Sequence, residues 1–282
     1  MGKANYMPIG GQYLMKDEDT STKLGSSFCG VLDGQGHSVT IQADRHCSGN
    51  YGDGQSVGLI GRLGVHDDDP VSIRPSGAGV RNLAVYGSVY ANRSVGGVVG
   101  KIGKTDGGVV IENCANFAEV RGTDAKGTGG IAGAAWNGGE IRNCYNAGSI
   151  NNTHNAYAGI AGSNEISLVN CYNIGKVTGA GTSAAIASEN GGGSYQNCYW
   201  LESIADMGVY NRVLDGVVMK TAAQMKEDAF LNALGSAFAR DTKNQNKGYP
   251  VLAWQNTSAP TGTGGSTGET NSSVTIQSTT TV

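Results

Sequence analysis

The chain has 282 residues, a net charge of −3 and 15% charged residues, and glycine fills 46 positions, more than twice its usual share. That much glycine argues against a helix-rich fold, and no Gly-X-Y period supports collagen. Without a basic stripe no nucleic-acid partner is expected, and without a run of about 18 apolar residues no membrane span is expected.

Residues 1–25 read as a lead-in or N-terminal cap. The opening "MGKANYMPIGGQY" lacks a charged leader followed by an apolar core. The chain is therefore read as either a cytoplasmic protein or the mature part of an exported one. "SSFCGVLDGQGHSVTI", 26–41, reads as a strand, a turn and a second strand.

From there a repeat takes over. Asn113-Cys114 returns as Asn143-Cys144, 30 residues on, then as Asn170-Cys171 and Asn197-Cys198 at steps of 27. Asn82-Leu83 holds the same phase 31 residues earlier. A second piece travels with it: "VGLIG" at 57–61, "GGVVG" at 96–100, "GGIAG" at 129–133, "AGIAG" at 158–162 and a worn "AAIAS" at 184–188. A third is "GSV", "AEV", "GSI" and "GKV", beginning at 87, 118, 148 and 175. Pieces of three to six apolar residues between Gly and Asn turns suit strands. One unit cannot bury its own apolar face, but stacked units can. The expected fold is all-β: a right-handed parallel β-helix or β-solenoid over 26–200, with rungs of roughly 27–31 residues.

Residues in equal phase then stack. Leu83, Cys114, Cys144, Cys171 and Cys198 are expected as an inward ladder, with cysteine acting as a small hydrophobe. The neighbouring Asn residues form an amide ladder. Tyr145, Tyr172 and Tyr199 form an aromatic one. Spacings of 27 and 30 do not suit a metal site, and no metal or cofactor is expected. Cys29 and Cys47 are left open as a pair or as free thiols.

Other motifs carry less. "GVVGKIGKT", 97–105, nearly matches a phosphate loop, but the required first Gly falls at Val98. "HDDDP", 66–70, is read as a solvated loop, since adjacent carboxylates in an extended chain alternate sides. Glu112 has Arg142, not Glu140, in phase, so a pair of carboxylates flanking a glycosidic bond is not expected. Trp136, in the turn after "GGIAG", and Tyr157, at a similar corner one rung on, are the candidate ligand-binding rings, each able to dock a sugar. The alternative for both is a ring folded over its own turn.

After Trp200 the repeat stops. Residues 201–256 are read as a C-terminal cap over the last rung, with a helix over 221–239, a capping box of Thr221 and Gln224, a stop or kink at Gly235, and Trp200 and Trp254 as seals. Residues 257–282, rich in Ser, Thr and Gly, read as a flexible linker.

The order of these pieces resembles proteins carrying GLUG repeats. The opening "F-x-G-x-x-DG-x-GH-x-V-x-I", the "NCYN-x-G-x-V" units and the closing "GYPVLAW" at 248–254 all match that pattern, over roughly 26–254. "SAAIAS" departs from it, and a distorted rung is expected there. Such repeats occur in large exported bacterial surface proteins, including adhesin-like proteins and some immunoglobulin A1 peptidases whose catalytic domain lies elsewhere. The resemblance implies an extracellular, noncatalytic, secreted module, monomeric within a larger chain and serving as rigid scaffold or adhesin. Its partners would be host or cell-wall glycans or proteins. The competing expectation is a glycan-active β-helix enzyme.

Overall fold

The structure, a computed structural model, describes residues 6–11, 13–14, 23–24, 27–44, 56–66, 69, 75–123, 127–135, 138–154, 157–181, 183–188, 192–257 and 276–277. It is mostly β, and its two large sheets join strands of successive repeats in parallel. One repeat shows the plan. Strands Val109–Asn116, Glu119–Gly122 and the bent pair Thr128–Gly129 and Ala132–Ala135 follow one another. Each lies between its counterparts: Ile111 between Val80 and Ile141, Val120 between Val89 and Ile150, Ala132 between Val99 and Ala161. We number these the first, second and third faces. The arrangement is consistent with an all-β parallel β-helix.

The interior is a set of apolar ladders. Val80, Ile111, Ile141 and Leu168 line the first face, Val89, Val120, Ile150 and Val177 the second, Val98, Ile131, Ile160 and Ile186 the third, all in one buried cluster. Each such side chain contributes roughly 1.5–3 kcal/mol by leaving water. Leu83, Cys114, Cys144, Cys171 and Cys198 stack inside as the spacing implies, and the four thiols are free and buried. Their surroundings are not purely apolar. Each thiol lies against main-chain carbonyls, as Cys144 Sγ does at 3.1 Å from the Arg142 oxygen.

The Asn before each of these residues has a backbone reason to be there. Asn82, Asn113, Asn143, Asn170 and Asn197 sit at φ of 54°, 51°, 50°, 52° and 51°. This is the left-handed region, which Asn enters more easily than most residues. Their amides form the expected ladder: Asn113 donates to Asn82 (3.1 Å), Asn143 to Asn113 (3.2 Å), Asn170 to Asn143 (3.1 Å) and Asn197 to Asn170 (3.0 Å). The left-handed residue also resets the strand's alternation. Cys144 then faces the interior while Tyr145 faces outward, both fully buried.

A second amide ladder lies inside. Asn116 donates to Asn146 at 2.7 Å and Asn146 to Asn173 at 2.8 Å, and each amide also donates to a carbonyl two residues on. This ladder explains the paired glycines. A Cβ on Gly97, Gly130 or Gly159 would sit 2.1–2.4 Å from the side chain of Asn116, Asn146 or Asn173. In the worn repeat both partners change together: Trp200 stands beside Asn173, and Ala185 replaces the glycine. The register there is irregular, between Ala184–Ala187 and Met207–Val209.

Beyond the first face's last strand, Val217–Lys220, the Thr221 capping box forms, with reciprocal bonds to Gln224 of 2.9 and 3.2 Å. The helix is shorter than 221–239. A 3₁₀ turn covers Gln224–Lys226, extended Glu227 interrupts it, and the α-helix runs only Asp228–Leu234. Gly235, at φ 87°, ends it. Phe238–Ala239 then pairs antiparallel with Val251–Leu252. This segment packs along the flank of the first face, where Met225, Phe230, Leu234, Phe238, Tyr249 and Leu252 cover Ala84, Ala115, Tyr145, Tyr172 and Tyr199. Its contacts run beside the coil, whereas Ile204, Val209 and Val217, earlier in 201–256, pack on the interior cluster at the end of the last repeat. The tyrosine ladder supplies the reason for the flank contacts, because it offers a long outward apolar stripe to be covered. Ile276–Gln277 pairs antiparallel with Val31–Leu32.

Candidate functional site

The corner after each outward Ala or Tyr carries another row: Tyr86, Phe117, Ala147, Ile174 and Leu201. The main chain stacks them, with Phe117 N–H donating to the Val85 carbonyl, Ala147 to Asn116 and Ile174 to Asn146. Tyr86 and Phe117 lie face to face, 4.6 Å apart and 1° from parallel. Opposite this row stands the loop Gln245–Tyr249. Asp241 shapes the loop by accepting from the N–H groups of Gln245 (2.8 Å), Asn246 (2.7 Å) and Gly248 (3.1 Å). Asn246 is buried and donates to the Tyr172 hydroxyl (2.8 Å) and the Pro250 carbonyl (3.1 Å). The row and the loop enclose a groove of about 270 Å³ floored by Phe117, Ala147, Ile174 and Leu201. Lys226 Nζ stands 4.6 Å over the Tyr249 ring at its edge.

The loop is pinned through the tyrosine ladder. Tyr172 donates to the Pro250 carbonyl, Tyr145 donates to Gln255 Oε1 (2.8 Å), and Trp254 Nε1 donates to the Asn113 carbonyl (3.1 Å). Burial pushes both tyrosine hydroxyls well above their usual range. Tyr172→Phe is expected to lower stability by about 1–3 kcal/mol, since it leaves buried partners short of a bond. Urea unfolding of both forms checks this.

The charged groups of the first face are paired. Arg142 donates to Glu112 (2.6 and 2.8 Å) and to Glu140 (2.9 Å), so one guanidinium sits between the two carboxylates. Its pKa is raised, first by the bond to Glu112. At Asp33 burial opposes ionisation, but bonds from the Gln35 N–H, Asn82 and Arg81 hold the carboxyl below its usual range. Neither place sets an acid and a base across an open cleft. Among the described residues no cluster of three or more His, Cys, Asp or Glu side chains is placed to hold a metal.

"HDDDP" differs from the expected solvated loop. His66 is buried, and the Asp69 side chain is 4% exposed. Asp69 accepts from Ser27 Oγ and the His66 N–H, both at 2.7 Å, with Arg62 at 3.6 Å. The turn folds back on the third face, and the buried arginine draws the carboxylate in. Asp67, Asp68 and Pro70 lie outside the described residues, as does Cys47. Cys29 is a half-buried free thiol, pushed up by burial and by Asp69.

Of the two candidate sugar-docking rings, Trp136 lies outside the described residues. Tyr157 is 1% exposed, within the core cluster, and its hydroxyl donates to the Ala180 carbonyl at 3.0 Å. Its ring faces the interior and its hydroxyl reaches the next rung, so it neither presents a face to a sugar nor folds over its own turn. Trp200 is buried in the interior and Trp254 lies on the flank. The groove residues were missed. The row from Tyr86 to Leu201 was readable from phase alone, but the opposing loop is brought to it only by the C-terminal fold.

Three comparisons bear on these features. A family model described as the GLUG motif matches residues 124–151, the stretch holding "GGIAG" and "NCYNAGSI". No curated protein matches the sequence. Among solved structures, the chain is similar to a candidate immunoglobulin A1 protease from Bacteroides ovatus, solved at 1.30 Å. The two share 25% identity with a TM-score of 0.58, over 81% of this chain and 71% of that one. Among the described residues no helix is long and apolar enough to cross a membrane. The chain thus carries a GLUG motif at 124–151, and pieces similar to it recur along the coil.

Proposed function

We propose that the chain is a noncatalytic extracellular module of a bacterial surface protein, a right-handed β-helical scaffold or adhesin segment with rungs of about 27–31 residues. The observation that carries this reading is the paired state of the first face's charges: Arg142 bonds both Glu112, its in-phase neighbour, and Glu140 two residues before it, so the flank offers contact surface and not an acid–base pair. The stacked ladders support a stiff rod. The GLUG motif and the likeness to a candidate immunoglobulin A1 protease support the surface setting, with any protease activity belonging to that other protein. Glycan contact belongs to this reading too, with Trp136 as the proposed docking ring. The test has two arms. Protease shaving of intact source cells should release this module, and a panel of host and cell-wall glycans should bind without release of new reducing ends. Module retained inside intact cells, or glycan cleavage that Glu112→Gln abolishes, would sink the proposal. Within the glycan arm, Trp136→Ala should weaken binding.

A further inference from the structure

The outer row that floors the groove has a missing layer. Tyr86 and Phe117 stack at 4.6 Å, yet the next position carries only the methyl of Ala147 before Ile174 resumes a larger side chain. Positions two rungs apart are separated by about 9.6 Å, the thickness of three stacked layers. Phe117 and Ile174 are therefore the outer leaves of a slot whose middle leaf is absent. Tyr145 meets the Phe117 ring edge-on at 5.6 Å and 86° and so holds that leaf. The loop bearing Lys247 closes one side. At about 270 Å³ the slot falls below the roughly 300–1,000 Å³ of pockets that take a whole small molecule. It suits one flat side chain.

We propose that this slot takes an aromatic side chain from an extended, acidic segment of a partner protein, completing the stack Tyr86–Phe117–ligand ring–Ile174. The reading rests on the surface-module proposal and names the partner of its groove. The ligand class follows from the walls. Phe117, Ala147 and Ile174 present apolar groups to the faces of a ring entering between them, while Gln245, Asn246 and Tyr249 of the loop lie along its edge, an arrangement that suits an aromatic ring with a polar tip. The acidic context follows from the rim. Exposed Lys247 and Lys226 stand at the loop edge, while the nearby Asp241 carboxylate is turned to the loop's own N–H groups. A carboxylate flanking the ring then meets net positive charge.

The test follows the Ala147 methyl by NMR, because a ring stacked on it shifts that signal upfield. The probes are acetyl-Asp-Tyr-Asp-amide, the same peptide with leucine in place of tyrosine, the Lys-Tyr-Lys counterpart, and N-acetylglucosamine oligomers. The acidic tyrosine peptide should move the Ala147 methyl upfield and saturably at millimolar concentration. The leucine and lysine peptides should bind at least tenfold more weakly. Ala147→Phe, which fills the slot from within, should abolish the shift elsewhere in the groove while circular dichroism is kept. Lys247→Glu, on the exposed rim, should weaken the acidic peptide several-fold without touching the floor. An unmoved methyl, equal binding of the leucine peptide, or binding that survives Ala147→Phe overturns the slot. A response to the sugar alone also overturns it, but leaves the surface-module reading standing. Glycan cleavage would sink that reading and leave the slot intact.

Discussion

Raising the pH above about 9 is expected to unfold the protein steeply. The cause is the thiol ladder. Burial pushes Cys198 up to about 12 and raises Cys144 and Cys171 well above their usual range. A thiol in the unfolded chain titrates near 8.5. Below that value both states keep the proton and the ladder's stabilisation is fully present. Between about 8.5 and the folded value only the unfolded chain releases it. Each thiol then subtracts about 1.4 kcal/mol of stability per pH unit. Three together subtract about 4 kcal/mol per unit, against the roughly 5–15 kcal/mol of an ordinary domain. Tyr145 and Tyr172, raised by burial, add the same sign above about 10. Urea midpoints between pH 7 and 11, followed by circular dichroism, should fall along this slope. Replacing Cys144, Cys171 and Cys198 by alanine should flatten it. Unchanged midpoints up to pH 11 would show that the thiols titrate freely.

Gly130→Ala is expected to be among the most damaging single methyl additions in the coil. Its Cβ would lie 2.4 Å from Asn146 Cγ and Oδ1 and 2.4 Å from the Gly159 carbonyl oxygen. Neither can retreat, since Asn146 is fixed in the interior amide ladder and Gly159 belongs to the next rung. Overpacking costs about 1–3 kcal/mol and a broken buried amide about as much again, so a loss of roughly 3–5 kcal/mol is expected. Gly77→Ala is the control. Its nearest neighbour would be the Gly108 carbonyl at 3.6 Å, an ordinary contact. That change should be neutral or raise stability by up to about 1 kcal/mol by narrowing the unfolded ensemble. Equal melting temperatures for the two variants would mean that the interior ladder is not packed as described.

What was legible in the sequence is what repeats. The phase of Asn-Cys placed the thiols on one line and the asparagines on another, because stacked rungs force equal positions into contact. The arginine in phase with Glu112 was visible in the same way. Two things escaped a reading by phase. The left-handed φ at each Asn is a backbone fact, and without it the strand's alternation does not place Tyr145 on the face opposite Cys144. The C-terminal fold is the other. Trp254 reaches Asn113 across 141 residues and Gln255 reaches Tyr145 across 110, and no periodicity links them. The capping box at Thr221 was readable because it is local. The length of its helix was not, since packing against the tyrosine ladder decides where the chain turns.

The central claim is that successive repeats stack as parallel rungs, and distances between spin labels test it most directly. Asp44, Tyr90, Arg121, Asn151 and Thr178 follow one another in register on the second face. Cysteines introduced at these sites can be labelled while the buried native thiols stay protected, once Cys29 and Cys47 are replaced by serine. Backbone separations should grow by about 4.8 Å per rung, from about 10 Å for the 121/178 pair to about 14 Å for 90/178 and about 19 Å for 44/178. That even progression is the predicted result. Distances that do not rise in equal steps, or a 44/178 separation far beyond four rungs, would contradict the stack.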